Sequence, residues 1–269
     1  MRRIKVLLGL MIFSLMVAAQ EKLNQTDSNG LRQGIWKKNH PNGRTMYEGT
    51  FTDNKPTGEW KRYHSNGVVK AILNYTDNND SVSASLFDET GKLVASGKYL
   101  NEAKEGKWIL YLNNRKMAEE NYREGKKNGR SLKFYQSGEL LEESEWLKGS
   151  MEGKTRYFFR EGNPYLEMEY SAGKRNGLCI SRYPSGAVEM EAGYLNDLKE
   201  GEWKYFSEKG ELMYTLKYAK GVLQNPQVLD SLESLKFKDL ESKRGKIPDP
   251  EKFLENPSEY LEKMRNNNQ

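Results

Sequence analysis

One cysteine and two histidines in 269 residues leave few reagents for a catalytic or metal centre. The single thiol, Cys179, excludes an intrachain disulfide. No apolar run reaches the roughly 20 residues that a membrane-spanning helix needs. At 36% hydrophobic and 30% charged, the chain is also too polar for one thick core of this length, and no large buried pocket is expected. A stack of thin units, each burying its apolar side against its neighbours, meets both constraints.

An excess of one charge is missing too, once the first residues are set aside. Met1 to Ala19 read as a secretory signal: Arg2, Arg3 and Lys5, an apolar run from Val6 to Val17, then Ala18-Ala19 before Gln20. Removing it takes three of the 43 basic residues and leaves 40 against 38 acids, so the net charge falls from +5 to +2. Charge then offers no case for nucleic-acid binding. The segment predicts an exported chain, periplasmic or secreted, with no transmembrane span after cleavage. No cysteine follows the cleavage point to carry a lipid.

What the chain does have is a repeat. Phe51, Tyr75, Tyr99, Tyr122, Trp146, Tyr170, Tyr194 and Tyr218 form a column spaced by 24 residues, with a single 23 between Tyr99 and Tyr122. Each unit opens on glycine (Gly34, Gly58, Gly106, Gly129, Gly153, Gly177, Gly201), except for Val82 in the third copy. Trp36, Trp60, Trp108 and Trp203 stand two residues later, and Tyr63 and Tyr111 five later. A second glycine closes a turn nine residues in, as in Asn42-Gly43 and Asn66-Gly67, so each unit reads as one β-hairpin. In the second strand the residues alternate. Leu140, Glu142, Ser144 and Trp146 share a packed face, and a glutamate column at Glu48, Glu119, Glu143, Glu167 and Glu191 lies on a solvated one. On the first strand, the third and sixth positions differ in parity and can share a face only through a bulge, so their orientation is open.

The fold class expected is therefore an all-β repeat: an elongated antiparallel sheet of about eight tandem hairpins with a short helical C-terminal cap. Residues 1–19 are the signal, 20–33 an N-terminal cap or flexible lead-in, 34–221 the eight repeats and 222–269 a helical tail. In that tail Val228, Leu229, Leu232, Leu235 and Leu240 fall along one helix side. Asp249-Pro250 and Asn256-Pro257 start two further short helices, 250–254 and 257–265. The tail is expected to cover the last open strand edge.

Chemistry is sparse. His40 and His64 occupy one offset in adjacent repeats, with Asp88 next in line, and read as a polar column near the turns rather than as metal ligands. The glutamates can offer hard oxygen ligands to a cation, but Lys37, Lys61 and Lys204 recur opposite them and favour paired charge. Neither a metal nor a cofactor is expected. The column from Phe51 to Tyr218 reads as structural packing. Trp36, Trp60, Tyr63, Trp108, Tyr111 and Trp203 are the candidate contact residues for a partner.

Units such as Gly58-Glu59-Trp60-Lys61-Arg62-Tyr63-His64-Ser65-Asn66-Gly67 and Gly201-Glu202-Trp203-Lys204-Tyr205-Phe206 resemble the MORN-repeat variant of bacterial proteins, of the kind described as YwqK-type antitoxins. The likeness runs from Gly34 to Gly221. Val82 and Ala84 depart from it, which predicts an irregular third hairpin. The resemblance implies a binding scaffold that meets a protein or an envelope component. Its alternatives are an antitoxin or immunity protein and, in a different class, a hydrolase working through scattered acids. No nucleophile, base and orienting group stand together in the sequence to support the hydrolase.

Overall fold

A computed structural model describes residues 22–76 and 80–242. The signal segment and the two short helices expected at 250–254 and 257–265 lie outside the described residues. The chain divides between Asn114 and Arg115 into two compact units. The first holds β1 (Gln25–Thr26), β2 (Arg32–Asn39), β3 (Thr45–Thr52), β4 (Lys55–Tyr63), β5 (Val69–Tyr75), β6 (Ser81–Phe87), β7 (Leu93–Leu100) and β8 (Ala103–Leu112). Each pairs antiparallel with the strand before it.

In the second unit β9 (Arg115–Arg123) and β10 (Lys126–Lys127) lead to β11 (Gly129–Phe134), β12 (Leu140–Leu147), β13 (Ser150–Met151), β14 (Gly153–Phe158), β15 (Pro164–Ser171) and β16 (Lys174–Arg182). It continues with β17 (Val188–Leu195), β18 (Leu198–Phe206), β19 (Leu212–Ala219), β20 (Val222–Leu223) and the helix α1 (Gln227–Ser242). Pairing is again antiparallel between neighbours. The chain is thus all-β, made of hairpins in tandem, with one described helix.

Two kinds of turn make the hairpins. Within a repeat, the Gly67 N–H donates to His64 O at 2.9 Å, and its φ of 89° is one that only glycine adopts without strain. Between repeats, two-residue turns such as Asn196-Asp197 carry φ of 50° and 69°, the mirror-image turn that matches strand twist and that Asn and Asp tolerate. At the turn end of four repeats the seventh residue reaches the next unit. His40 and His64 donate Nε2–H to the carbonyls of Tyr63 (3.1 Å) and Phe87 (3.0 Å), and Tyr135 and Tyr183 donate Oη–H to those of Phe158 (2.7 Å) and Phe206 (2.9 Å). One offset of 23 residues serves all four.

The first-strand aromatics follow plain alternation, because the register shifts at Arg62/Tyr63, Lys133/Phe134 and Tyr205/Phe206 place their extra residue on the second strand, at Lys70, Leu141 and Met213. Tyr63 stands with the acids: its hydroxyl donates to Glu48 Oε1. Trp60, by contrast, is buried on the opposite face at 6% exposure.

The packed face is held by a pairing between repeats that joins residues 11 apart. Gly49 faces Trp60 and Gly97 faces Trp108; a Cβ on either glycine would sit 2.2 or 2.3 Å from the indole ring. Where the later residue is small the earlier one is larger, as in Leu73 opposite Ala84 and Met168 opposite Cys179. Ala192 and Trp203 pack in one cluster with Cys179 and Leu216. At these junctions a large side chain faces a small one, which keeps the packed face closely filled. The indole has a second task. Register shifts at Glu48/Thr50, Ser96/Lys98 and Glu191/Gly193 release one backbone carbonyl each, and Trp60, Trp108 and Trp203 donate Nε1–H to Thr50 O, Lys98 O and Gly193 O at 3.0, 3.0 and 3.1 Å.

Against expectation, the third copy is not the irregular one. With Ala84 in place of an indole, β5 and β6 pair through five residues without a shift, and β6 and β7 carry the same shift as the other hairpins.

The two ends are closed by asparagine. Asn24 accepts from Lys37 N (2.8 Å) and donates to Lys37 O (3.0 Å) on β2. Asn225 accepts from Lys217 N (2.8 Å) and donates to Thr215 O (2.9 Å) on β19. Residues 22–33 thus cap the first hairpin. The helix, however, does not cover the last edge as expected. It has no buried residue, and Leu235, Phe237 and Leu240 are 62%, 63% and 58% exposed. The edge is finished instead by β20 and Asn225, because the chain leaves β19 after only two ladder pairs.

Trp108, fully buried, should cost about 3–5 kcal/mol of stability when cut to alanine, measured by denaturant unfolding. Gly97→Leu alone should destabilise by overpacking, while Gly97→Leu with Trp108→Ala recreates the Leu73/Ala84 pair and should recover at least about 1 kcal/mol relative to the summed singles. Additive losses would dismiss the volume-matching account.

Candidate binding groove

In the first unit the packed face stays open over the third repeat. An uncovered groove of about 1230 Å³ runs over Ala71, Leu73, Val82 and Leu86, between Tyr47 on one side and Tyr75 and Tyr99 further along. Its ends differ in charge. His40, Arg62 and Lys70 stand at the turn end, and Asp80, Asn101 and Glu102 at the other. Small side chains make the depth: Ala71, Ala84 and Ala95 are buried where a bulkier row would fill the trough.

The aromatic residues divide by burial. Trp60, Trp108 and Trp203 are 6%, 0% and 4% exposed, so the indoles proposed as contacts lie inside and reach no partner. Trp60 meets Phe51 edge-on at 4.7 Å and Tyr75 at 6.3 Å; Trp108 meets Tyr99 at 4.9 Å; Trp203 meets Tyr194 at 5.2 Å and Tyr218 at 5.4 Å. Trp36, Tyr63 and Tyr111 are half-buried. In the column, Phe51 alone is buried among the described residues, while Tyr75, Tyr99, Tyr122, Trp146, Tyr170, Tyr194 and Tyr218 are half-buried. Cations two residues before the repeat start cover this ladder: Arg32 lies 3.9 Å over Phe51, Arg175 4.3 Å over Tyr194, and Lys199 4.3 Å over Trp203 and 4.7 Å over Tyr218. Arg175 is fixed as well by Asp197, whose Oδ1 accepts from both its N and its Nε at 3.0 Å. The Arg175 hydrogen bonds hold the Asp197 carboxyl below the usual range. These cations escape a scan for motifs, and only their constant offset from the glycine gives them away.

In the second unit the same face turns polar. The buried polar residues among those described, Glu120, Ser131, Glu142, Ser144 and Thr155, all lie on β9 to β14. Glu120 binds Lys127 and accepts from Tyr122 Oη; Glu142 binds Lys133 at 2.7 Å and accepts from Ser144 Oγ, which itself accepts from Trp146 Nε1. Burial and then the charge of Glu142 push the Tyr157 hydroxyl up to about 12. Tyr63 reaches about 12 through burial first and its Glu48 hydrogen bond second. Tyr205 reaches about 12 through burial and then neighbouring Tyr214. Cys179 sits in the packed cluster, where burial pushes its thiol up and away from reactivity.

On the other face the acid column is paired. Lys37 meets Glu48 at 3.5 Å, and in the second unit Arg130, Glu143, Arg156, Glu167 and Arg182 alternate at 2.7, 3.6, 3.2 and 3.5 Å. Guanidinium groups thus occupy Glu143 and Glu167. His40 and His64 each spend Nε2–H on a backbone carbonyl, and no cluster of three or more metal-ligating side chains occurs among the described residues.

The MORN repeat variant model matches residues 32–53, 56–77 and 199–220. In these three stretches the chain is similar to the MORN repeat variant. Those stretches are the first and second hairpins and the last, the copies in which Trp36, Trp60 and Trp203 are kept. No curated protein matches the sequence. Among solved structures, a crystal structure of the GtfA/B complex shares 10% identity over 49% of this chain and 20% of its own, with a TM-score of 0.21. A crystal structure of TarM shares 11% over 53% and 20%, and S. aureus TarM in a complex with Fondaparinux, alpha-GlcNAc-glycerol and UDP shares 10% over 53% and 19%, both with a TM-score of 0.16. The chain spans about a fifth of the length of these structures, and overlap this slight carries no functional argument.

Buried tyrosines predict an alkaline limit. Where the folded pKa lies near 12 and the unfolded value near 10, the unfolded chain releases its protons first, so stability holds below about pH 10 and is lost between about pH 10 and 12. Ultraviolet titration should show a late-ionising class among the 16 tyrosines, and Glu48→Gln should move Tyr63 to lower pH. One ionisation step near 10 for all of them would contradict this.

Proposed function

We propose that this MORN-repeat chain is a non-enzymatic binding scaffold, exported from a bacterial cytoplasm, that holds a protein or cell-envelope component along its hairpins. The open groove of the first unit is the observation that carries the reading: a wide, shallow, apolar and aromatic trough with charged ends, suited to extended contact rather than to enclosing a small substrate. The ionisable groups that a reaction would draw on are engaged in structure. Glu120 and Glu142 are bound to Lys127 and Lys133, the histidines tie one repeat to the next, and Cys179 is packed away. A scaffold needs area and rigidity, and size-matched junctions supply both.

Two measurements test this. In the native host, N-terminal sequencing of the exported protein should begin at Gln20; recovery of chain that keeps Met1 would make the leader an anchor. For binding, cosedimentation with isolated envelopes should fall less than about threefold for a single groove substitution such as Tyr47→Ala, and far more on removal of residues 34–81, two whole repeats. Turnover in hydrolase screens that one substitution such as Glu142→Gln abolishes would replace the scaffold with an enzyme.

A further inference from the structure

Two repeats carry a cation at the same position of the packed face, with different neighbours. Lys133, the fifth residue of its repeat, stands directly opposite Glu142 across the hairpin and binds it at 2.7 Å. Arg62 is the fifth residue of the second repeat, and the residue directly opposite is Ala71. Where one repeat supplies a carboxylate from its own chain, the other supplies a methyl group, and Arg62 has no ion pair or side-chain hydrogen bond among the described residues. Arg62 and Ala71 both line the open groove of the first unit. We propose that this groove seats an apolar peptide segment whose carboxylate takes, against Arg62, the place that Glu142 fills against Lys133.

The exchange of lysine for arginine suits this difference. Lys133 meets a carboxylate that its own sheet already fixes, and a point charge is enough. An incoming carboxylate must be oriented as well as held, which a planar guanidinium does through two parallel N–H···O bonds. Lys70 and His40 line the same end, and the acids of the lining, Asp80 and Glu102, stand at the other, so a carboxylate entering beside Arg62 meets positive charge. Leu73, Val82 and Leu86 continue the floor from Ala71 and give apolar side chains somewhere to lie.

The far end favours a peptide over another apolar acid. The tail of a fatty acid held at Arg62 would finish against Asp80 and Glu102, both exposed, whereas a peptide can bring a basic side chain to them. Extended along β5 at about 3.3 Å per residue, it needs a base about five residues from its acid. The hydroxyls of Tyr63, Tyr135 and Tyr183 are spent on protein acceptors, but those of Tyr47, Tyr75 and Tyr99 in the groove have no partner among the described residues and can donate to peptide carbonyls. The peptide seat rests on the scaffold reading above, with the groove as its contact surface.

Two hexapeptide libraries test this on the immobilised full chain. Both are capped at each end, mix Leu, Val, Phe and Ala at the middle positions and carry lysine at one end, in both orders; the other end is glutamate in one library and glutamine in the other. The glutamate library should be retained at least about tenfold over the glutamine library. Arg62→Gln should abolish that preference, and because Arg62 is exposed and unpaired the variant should melt with the parent. Ala71→Glu should abolish it too, by closing within the chain the pair seen at Lys133 and Glu142, and should melt no lower than the parent. Equal retention of the two libraries, or a preference that survives Arg62→Gln, overturns the proposal, and displacement of the peptides by equimolar decanoate would give the groove to a fatty acid instead. A parent that cosediments with envelopes but shows no preference keeps the scaffold reading and loses the peptide seat; a preference without cosedimentation does the reverse.

Discussion

Indole against glycine is the contact on which the array depends. In a single-layer sheet no second layer supplies a core, so each hairpin can bury apolar surface only on its neighbour. Trp60 and Trp108 do so by lying flat over Gly49 and Gly97, while their N–H groups satisfy the carbonyls that the bulges release. Packing and hydrogen bonding therefore arrive through one side chain. Two other junctions pair a large side chain with a small one through different residues, Leu73 with Ala84 and Met168 with Cys179.

Polarity is distributed by the same logic. Single exposed ion pairs contribute little, but the alternating Arg130, Glu143, Arg156, Glu167 and Arg182 share charges across five strands, so each carboxylate has a cation on both sides. Under them, on the packed face, Glu120 and Glu142 are buried at a cost that Lys127, Lys133 and the neighbouring hydroxyls offset. The packed side is apolar over the third repeat in the first unit, and in the second unit it carries buried ion pairs. Two surfaces of different chemistry thus come from one repeating backbone.

Much of this was legible before any coordinates. Glycine at fixed offsets and aromatics every 24 residues specify hairpins, because few other residues satisfy those turns and that face. The pairing of volumes was present too, but it joins residues 11 apart in adjacent repeats, and stacking the repeats in an alignment hides it. Which strand carries a bulge could not be read, since a one-residue shift in pairing leaves no trace in spacing; with the extra residue on the second strand, simple parity gives Tyr63 the face opposite Trp60. Ala84 was visible as a departure, yet whether it meant an irregular hairpin or a regular one depended on Leu73 opposite. The helix was readable as apolar on one side, but whether that side is covered is a tertiary fact, and Leu235 and Phe237 turned out bare.

Asn24 and Asn225 finish their strands from outside the repeat, each spending one amide side chain to do what another strand would. The terminators and the repeated unit are therefore separable pieces of sequence. Duplicating or deleting an interior 24-residue segment by recombination would leave both terminators in place, provided that the volumes on either side of the new junction still match. The number of hairpins is in that sense an inheritable variable, and the small side chain facing each indole is the rule that limits where a copy can be spliced.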